Sequence, residues 1–567
     1  MELYFSENLK KIDEESYSAF GYSENILMEN AGSGCYREIL NIYGKSFLRQ
    51  SLITVICGKG NNGGDGLVLS RYLFNAGFNP KTVILAEISS YKGIAKKNLD
   101  ILVNLGAEVT EISKEDKITV LGGILDKTDI LADAVFGVGL NREIDGFFKK
   151  VIEIINEKSD CTKHREIEIL KKSESKCLLE NYGCEKYKKN GNGKGFDIIC
   201  IDIPSGLNAD TGEFMGAGIR NNIKKILTFG GLKTGFYIND GEKLLLGEKT
   251  ALIDINQPAQ LLKKHSAGIE IILPEEIAGC FKDRKKTGTK FDYGHLLVIA
   301  GSSGKSGAAF MASYAGFKGG AGLVTAAVPA KINDVMETKT DEIMTYPIFD
   351  DSRGFFIENG AEIIKENLLK GKNAVVMGPG IGLKEETKIF LHRLLPEIKV
   401  PVILDADALN ILSEDTPFLK KTAGKTDLIL TPHFKEMERL SGIDRKSIEK
   451  DPIGTGKNFA KEFGVYLMLK GSSIFIFDKN GERISLQCGH SPLLASGGSG
   501  DALSGLIGAF ICGGMSLYMS MKCAAFILVY SAKNLESEYG DFGAGAVKIT
   551  ENISKAVNLI KNQQKEI

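Results

Sequence analysis

Short apolar runs alternate with amphipathic stretches along most of the chain. SLITVIC, KTVILAE, DILADAVFG, FDIICIDI and KKILTFG each hold too many consecutive apolar residues for a half-exposed strand. They predict strands buried on both faces. GLVLSRYLFNAG and AKKNLDILVNLG, which fall among them, have helical spacing. Strands alternating with helices predict a parallel sheet covered on both sides. The pattern fades around INQPAQLLKKHSAG, near residues 250–270, and then restarts. HLLVIAG, GLVTAAV, NAVVMG, VPVILDA and DLILT predict strands; GAAFMASYAGFKGG, KEETKIFLHRLL, KEMERLSG and DALSGLIGAFICGG predict helices. In VYLMLKGSSIFIFDKNGERISLQ two β-rich runs flank Asp478-Lys479-Asn480-Gly481, a hairpin signal. The fold class expected is α/β with two domains, at 1–255 and 268–567. No close internal repeat is evident.

One stretch breaks the first domain. Residues 157–197 are rich in Lys and Glu and lack a buried-strand pattern, so they predict a charged surface insertion.

Composition narrows the field. A length of 567 residues exceeds one hydrophobic core and allows about three to four domains, or two large α/β units. Lys+Arg of 71 against Asp+Glu of 72 leaves no basic excess pointing to nucleic acid or an anionic membrane. MELYFSENLKKIDEES has no apolar core of signal length, and no uncharged apolar run reaches about 18 residues. CAAFILVYSA is too short to span a bilayer and predicts a core helix. The ten cysteines lack paired spacing; Cys57, Cys200, Cys512 and Cys523 lie in apolar elements, where a thiol acts as a small hydrophobe. Reduced cysteines in a cytoplasmic protein are expected. Cys161, Cys177 and Cys184 cluster in the polar insertion, where the alternative is a metal site.

Two glycine loops carry candidate chemistry. In GKGNNGGDG a strand ends at Cys57 and a helix is expected from about Gly66. The glycines allow close approach of a ligand, and a helix N-terminus suits a phosphate; a tight strand–helix turn explains the glycines as well. The oxygens of Asn61, Asn62 and Asp65 are hard donors, fit for a cation or ribose hydroxyls. Asp133, Asp202 and Ser205 also fall at expected strand ends, where open parallel sheets form their binding crevice. In SGGSGDALSG, the amides of Ser499, Gly500 and Asp501 offer an anion hole for a phosphoryl group. Asp501 can take a proton from an attacking hydroxyl. The plain alternative is a helix N-cap at Asp501 or Ser499.

With these residues in view, LMENAG (27–32), GKGNNGGDG (58–66), DAVFGVG (133–139), IDIPSGLNADTG (201–212) and TFGGLKTGF (228–236) together resemble the NAD(P)H-hydrate epimerases. The resemblance covers about residues 1–250, apart from the insertion, and implies a Rossmann-like αβα sandwich. It implies that Asn61, Asn62, Gly63, Gly64, Asp65, Gly137, Val138, Gly139, Leu140, Asn141, Arg142, Glu143 and Asp202 bind the hydrated nucleotide. It also implies that Asn62, Asp133 and Ser205 hold K+. Asp202 is the candidate acid or base, with Lys233 as helper.

GSGD before a long helix resembles the ribokinase-like superfamily. MGPGIG (377–382), LDADALN (404–410), TPHFKEMERL (431–440) and LMLKGSSIFI (467–476), with the stretch from Gly294 to Pro329, narrow the resemblance to the ADP-dependent NAD(P)H-hydrate dehydratases. It implies that Ala308, Gly382, His433, Glu436 and Asp501 hold the nicotinamide substrate. Lys470, Gly471, Ser472, Ser473, Ile474, Ser491, Ser496, Gly497, Gly498, Ser499 and Gly500 would cradle ADP. Asp501 would be the base, and Mg2+ would share the phosphate charge. Three departures stand out. Phe434-Lys435 replaces Pro-Gly, Ile474 replaces Thr, and His490-Ser491 stands where Asn is usual. A TPH turn that merely caps the next helix is the structural alternative for His433 and Glu436.

The joint resemblance is to bifunctional NAD(P)H-hydrate repair enzymes acting on NADHX and NADPHX, whose members tend to be homo-oligomers. A ribokinase-like pyrimidine, thiazole or sugar kinase explains the GSGD loop but not residues 1–250. A non-catalytic scaffold would be expected to lose the polar site residues, and all are present.

Overall fold

The computed structural model describes residues 1–160 and 195–563. They form two compact units, Glu2–Ala267 and the chain from Gly268 onward.

In the first unit, among the described residues, a seven-stranded parallel sheet runs in the order Val109–Glu111, Lys81–Ile84, Ile53–Cys57, Ile130–Ala134, Asp197–Ile201, Ile223–Phe229, Thr250–Ile253. Ile53–Cys57, Ile130–Ala134 and Asp197–Ile201 are buried throughout, as their unbroken apolar sequences require. The sheet grows to one side from Ile53–Cys57 and to the other from Ile130–Ala134. The two loops that follow these strands therefore part at the switch point where open sheets bind ligands.

The helix expected from Gly66 starts five residues earlier, spanning Asn61–Asn75 with Gly60 as an extended N-cap. Asn and Gly are poor helix formers, but the approach to the sheet dictates them here. A Cβ on Gly63 would lie 1.8 Å from the Gly58 carbonyl oxygen, and one on Gly66 would lie 2.6 Å from Ala134 Cβ. Two further helices, Ser6–Phe20 and Glu24–Leu48, precede the sheet. The charged insertion is trimmed at both ends: residues 157–159 close helix Gly146–Ser159, and Asp197 opens a strand. Residues 161–194, with Cys161, Cys177 and Cys184, lie outside the described residues.

The second unit has a larger sheet in the order Met344–Ile348, Leu323–Pro329, His295–Ile299, Ala374–Met377, Val402–Leu404, Leu428–Leu430, Tyr466–Lys470, Ile474–Phe477, Ile484–Gln487, Ile269–Ile271. It is parallel up to Tyr466–Lys470, and the next two pairings are antiparallel. The expected hairpin at 478–481 is present. The run before it is two strands, not one, because the chain also reverses at 471–473. Helix Leu517–Tyr539 holds CAAFILVYSA within the core.

Helix Ser499–Cys512 packs on helix Ser306–Lys318 so closely that a Cβ on Gly505 would lie 1.9 Å from the Ala312 carbonyl oxygen. That contact fixes the height of the SGGSGD turn above the sheet. The helix begins at Ser499 with left-handed Gly498 as its N-cap, so neither Asp501 nor Ser499 caps it.

Candidate functional sites

In the first unit Asn62, Asp133 and Ser205 meet behind the switch point. Asp133 is fully buried; it accepts from Ser205 N at 2.8 Å and Ser205 Oγ at 2.6 Å. Burial pushes its carboxyl up, against the hydrogen bonds from Ser205 and Val135. Asn62 donates through Nδ2 to the Phe136 carbonyl at 3.0 Å. Its Oδ1 is buried and has no hydrogen-bond partner. A carboxylate, a hydroxyl and an unsatisfied amide oxygen in one buried place fit a bound cation.

Asp202 stands nearby, in the left-handed region at φ 65°. Strain of this kind persists only where surrounding contacts enforce it. Oδ1 receives Lys233 Nζ at 2.6 Å, Thr228 Oγ1 at 3.3 Å and Phe229 N at 3.3 Å. Lys233, 1% exposed, also donates to Thr228 Oγ1 and the Phe229 carbonyl. Expected as a helper, this lysine is the buried counter-charge of Asp202. The other carboxylate oxygen, Oδ2, faces Gly137, where a Cβ would lie 3.6 Å from it and 3.1 Å from Asn62 Cβ. Lacking a side chain, Gly137 lets its backbone approach both Asn62 and Asp202 closely.

Asp65 joins this group electrostatically. Its carboxyl is raised well above the usual range by burial, then by Asp202 and by Asp13. Asp13, on helix Ser6–Phe20, was not singled out from the sequence. It accepts from Gln257 Nε2 at 2.6 Å, and its carboxyl is pushed up to about 6, chiefly by burial. Asn61, Gly139 and residues 141–143 are exposed at the rim; Val138 and Leu140 are half-buried.

In the second unit a buried carboxylate organises the site. Asp405, 2% exposed, accepts from Lys470 Nζ at 2.8 Å, Ser504 Oγ at 2.6 Å and Ala406 N at 2.9 Å. Lys470 leaves the end of its strand and Ser504 lies on helix Ser499–Cys512, so Asp405 ties the sheet to the helix that follows the SGGSGD turn. Gly500 sits against the pair, with a built Cβ 3.3 Å from Lys470 Nζ and 3.8 Å from Asp405 Oδ2. Asp501 occupies the third helical position. Its carboxyl is pushed up to about 7, first by burial and then by Asp405, with Lys470 opposing.

His433 and Glu436 form a capping box: His433 Nδ1 accepts from the amides of Lys435 and Glu436, and Glu436 Oε2 accepts from His433 N. The structural alternative for these two residues is therefore present in full. The turn still borders the site, because Lys470 N donates to the Pro432 carbonyl at 2.8 Å. Burial raises the Glu436 carboxyl to about 7 and lowers the His433 imidazole. The Phe434 ring lies on Gly471, where a Cβ would meet it at 2.7 Å, so this departure from the expected Pro packs against the stretch expected to cradle ADP.

Around the switch point of this sheet, Asp407 Oδ2 receives Lys305 Nζ at 2.9 Å and Gly382 N at 2.8 Å. Ala308 lies beside Gly380, where a Cβ would meet its own Cβ at 3.0 Å. Gly382, Ala308, Lys305 and Asp407 thus share one edge of the site. Asp405 and Asp407 both belong to LDADALN, which the sequence singled out as a motif without assigning their roles. On the loop side, Gly498 packs on Met311, and Ser499 Oγ donates to the Leu494 and Ser496 carbonyls at 3.1 Å.

Among the described residues no group of three or more His, Cys, Asp or Glu side chains forms a metal cage. A Mg2+ ion held largely by nucleotide phosphates, its usual state, needs no such cage. Among the described residues no helix is long and apolar enough to cross a membrane.

Comparison with known proteins agrees with this division. Residues 24–235 match the family described as YjeF-related protein N-terminus, and residues 296–555 match the NAD(P)H-hydrate dehydratase family. A bifunctional NAD(P)H-hydrate repair enzyme from Moorella thermoacetica is 30% identical over 93% of this chain and 91% of its own length. One from Thermofilum pendens is 29% identical over 98% of this chain and 95% of its own length. Among solved structures, the ADP/ATP-dependent NAD(P)H-hydrate dehydratase from Bacillus subtilis covers 52% of this chain and 99% of its own, at 21% identity and a TM-score of 0.45. The chain belongs to the family of bifunctional NAD(P)H-hydrate repair enzymes.

Proposed function

We infer that the chain repairs hydrated nicotinamide nucleotides: the first unit interconverts the two C6 epimers of NAD(P)HX, and the second dehydrates the S epimer at the expense of ADP. The observation that carries the reading is the grouping of Asp501, Gly500 and Lys470 about Asp405, which sets a proton acceptor beside an anion-binding turn.

In the second unit the C6 hydroxyl gives its proton to Asp501 as its oxygen attacks the β-phosphorus of ADP. The bond from that phosphorus to the bridging oxygen breaks, and AMP leaves. The amides of the SGGSGD turn and Lys470 stabilise charge on the phosphoryl oxygens. The ring nitrogen then expels phosphate, a far better leaving group than hydroxide, and loss of a proton from C5 restores NAD(P)H. Mg2+ bound to the nucleotide would neutralise part of its charge.

In the first unit Asp202 exchanges protons with the C6 hydroxyl while the ring nitrogen assists its departure or ring opening. Lys233, Thr228 and the Phe229 amide hold Oδ1, which leaves Oδ2 for the substrate. Asn62, Asp133 and Ser205 would hold K+, whose charge would help bind the nucleotide's phosphates. The expected setting is the cytoplasm.

The test follows recovery of reduced-nicotinamide absorbance from a mixture of R and S hydrates with ADP and Mg2+. Full recovery with one phosphate released per hydrate is expected. A folded protein that releases no phosphate overturns the reading.

A further inference from the structure

Strands Tyr466–Lys470, Ile474–Phe477 and Ile484–Gln487 are antiparallel in turn, with Lys470 opposite Ile474 and Ile474 opposite Gln487. Directly opposed residues of antiparallel strands project from one face. Lys470 and Gln487 thus stand in a single row, roughly 10 Å apart at normal strand spacing. Lys470 marks the phosphate end of that row, beside Asp405 and Gly500.

Gln487 marks the other end. It is 5% exposed, and its Oε1 is buried with no hydrogen-bond partner. A buried amide oxygen in this condition is costly unless a ligand or water satisfies it. The adjoining wall is made by Gly489, where a Cβ would lie 2.9 Å from Gln487 Nε2 and 3.0 Å from Val529 Cγ1. Two residues beyond Gly489, the Ser491 hydroxyl is also buried without a partner. Neither atom belongs to the Asp405 network, and Ser491 directly precedes the Pro492–Leu494 turn that leads into SGGSGD. A nucleotide anchored by its phosphates at Gly500 extends its ribose and base over about this span.

We propose that Gln487 reads the base of the nucleotide, its Oε1 accepting a hydrogen bond from the exocyclic amine of adenine. The inference rests on the ADP reading above and deepens it by naming the residue that sets base preference.

The test compares ADP with purine riboside 5′-diphosphate, which lacks that amine, on the full chain. Wild type should favour ADP by about 3- to 10-fold in kcat/KM, the worth of one hydrogen bond. Gln487→Ala and the better-filling Gln487→Met should lose that preference through a higher KM for ADP. If both folded variants keep the preference, or lose the same factor with both nucleotides, Gln487 does not read the base. A wild type inert with ADP overturns the underlying reading and this inference together; an active wild type with unaltered variant preference overturns this inference alone.

Discussion

Lys233 Nζ lies 2.6 Å from Asp202 Oδ1, and the lysine is 1% exposed. A buried charge pair of this kind is costly to break from one side, because the remaining partner is left unpaired. Lys233→Met should therefore destabilise the protein by about 3–5 kcal/mol. Lys233→Met with Asp202→Asn should recover much of that loss while epimerisation stays absent. Chemical denaturation of Lys233→Met, Asp202→Asn and the double variant checks the coupling; additive losses would contradict it.

Asp501→Asn removes the proton acceptor proposed for the second unit and leaves the residues of the first untouched. Loss of ADP-dependent dehydration with epimerisation retained is expected, measured by chiral separation of the hydrate epimers. Equal loss of both activities in a folded variant would contradict separate sites.

The pH dependence of dehydration follows from the same carboxyl. In the proposed role Asp501 must be ionised, and its pKa is pushed up to about 7. The free-enzyme kcat/KM should therefore rise with pH through about 7 and level off above it. Glu436 titrates in the same range, so the profile should be repeated with Glu436→Gln. The rising limb persists there if Asp501 sets it.

Asn62 Oδ1 is the unsatisfied oxygen of the first site. Exchanging Na+ for K+ should raise the melting temperature of wild type, since a ligand at 100 times its Kd adds about 2.7 kcal/mol. Asn62→Ala should flatten that response. A wild type indifferent to the exchange would remove K+ from the proposal.

Asp13 affects stability in the opposite sense from a salt-bridged carboxylate. Burial pushes its carboxyl up to about 6, so the native state favours its protonated form. The stabilisation is fully present below the unfolded value of 3.8 and is lost as pH rises through about 6, at most about 3 kcal/mol in all. Asp13→Asn does not titrate and keeps an acceptor for Gln257. It should melt higher than wild type at neutral pH, with the advantage fading in acid.

How much of this was legible beforehand depends on range. Strand ends are legible because apolar runs give way to polar residues near them, as at Asp133, Asp202 and Ser205. The start of helix Asn61–Asn75 is not, since Asn-Asn-Gly-Gly reads as a loop by propensity, and the close approach to Gly58 that requires glycine at 63 is a tertiary contact. The reversal at 471–473 hid inside a continuous β-rich run. Asp405 lay within a recognised motif, but nothing local announces a lysine 65 positions on or a serine 99 positions on. Asp13 and Gln257 are 244 residues apart, and only folding joins them.

Ala406 adopts φ 52° and ψ −117°, a conformation that suits glycine far better than alanine. It follows Asp405, so the awkward turn aims the carboxylate that ties Lys470 to the anion-loop helix. Selection for heat resistance and selection for turnover should accordingly diverge at this codon. The first would favour glycine, which relieves the strain; the second would retain alanine, whose methyl group narrows the excursions open to its acidic neighbour.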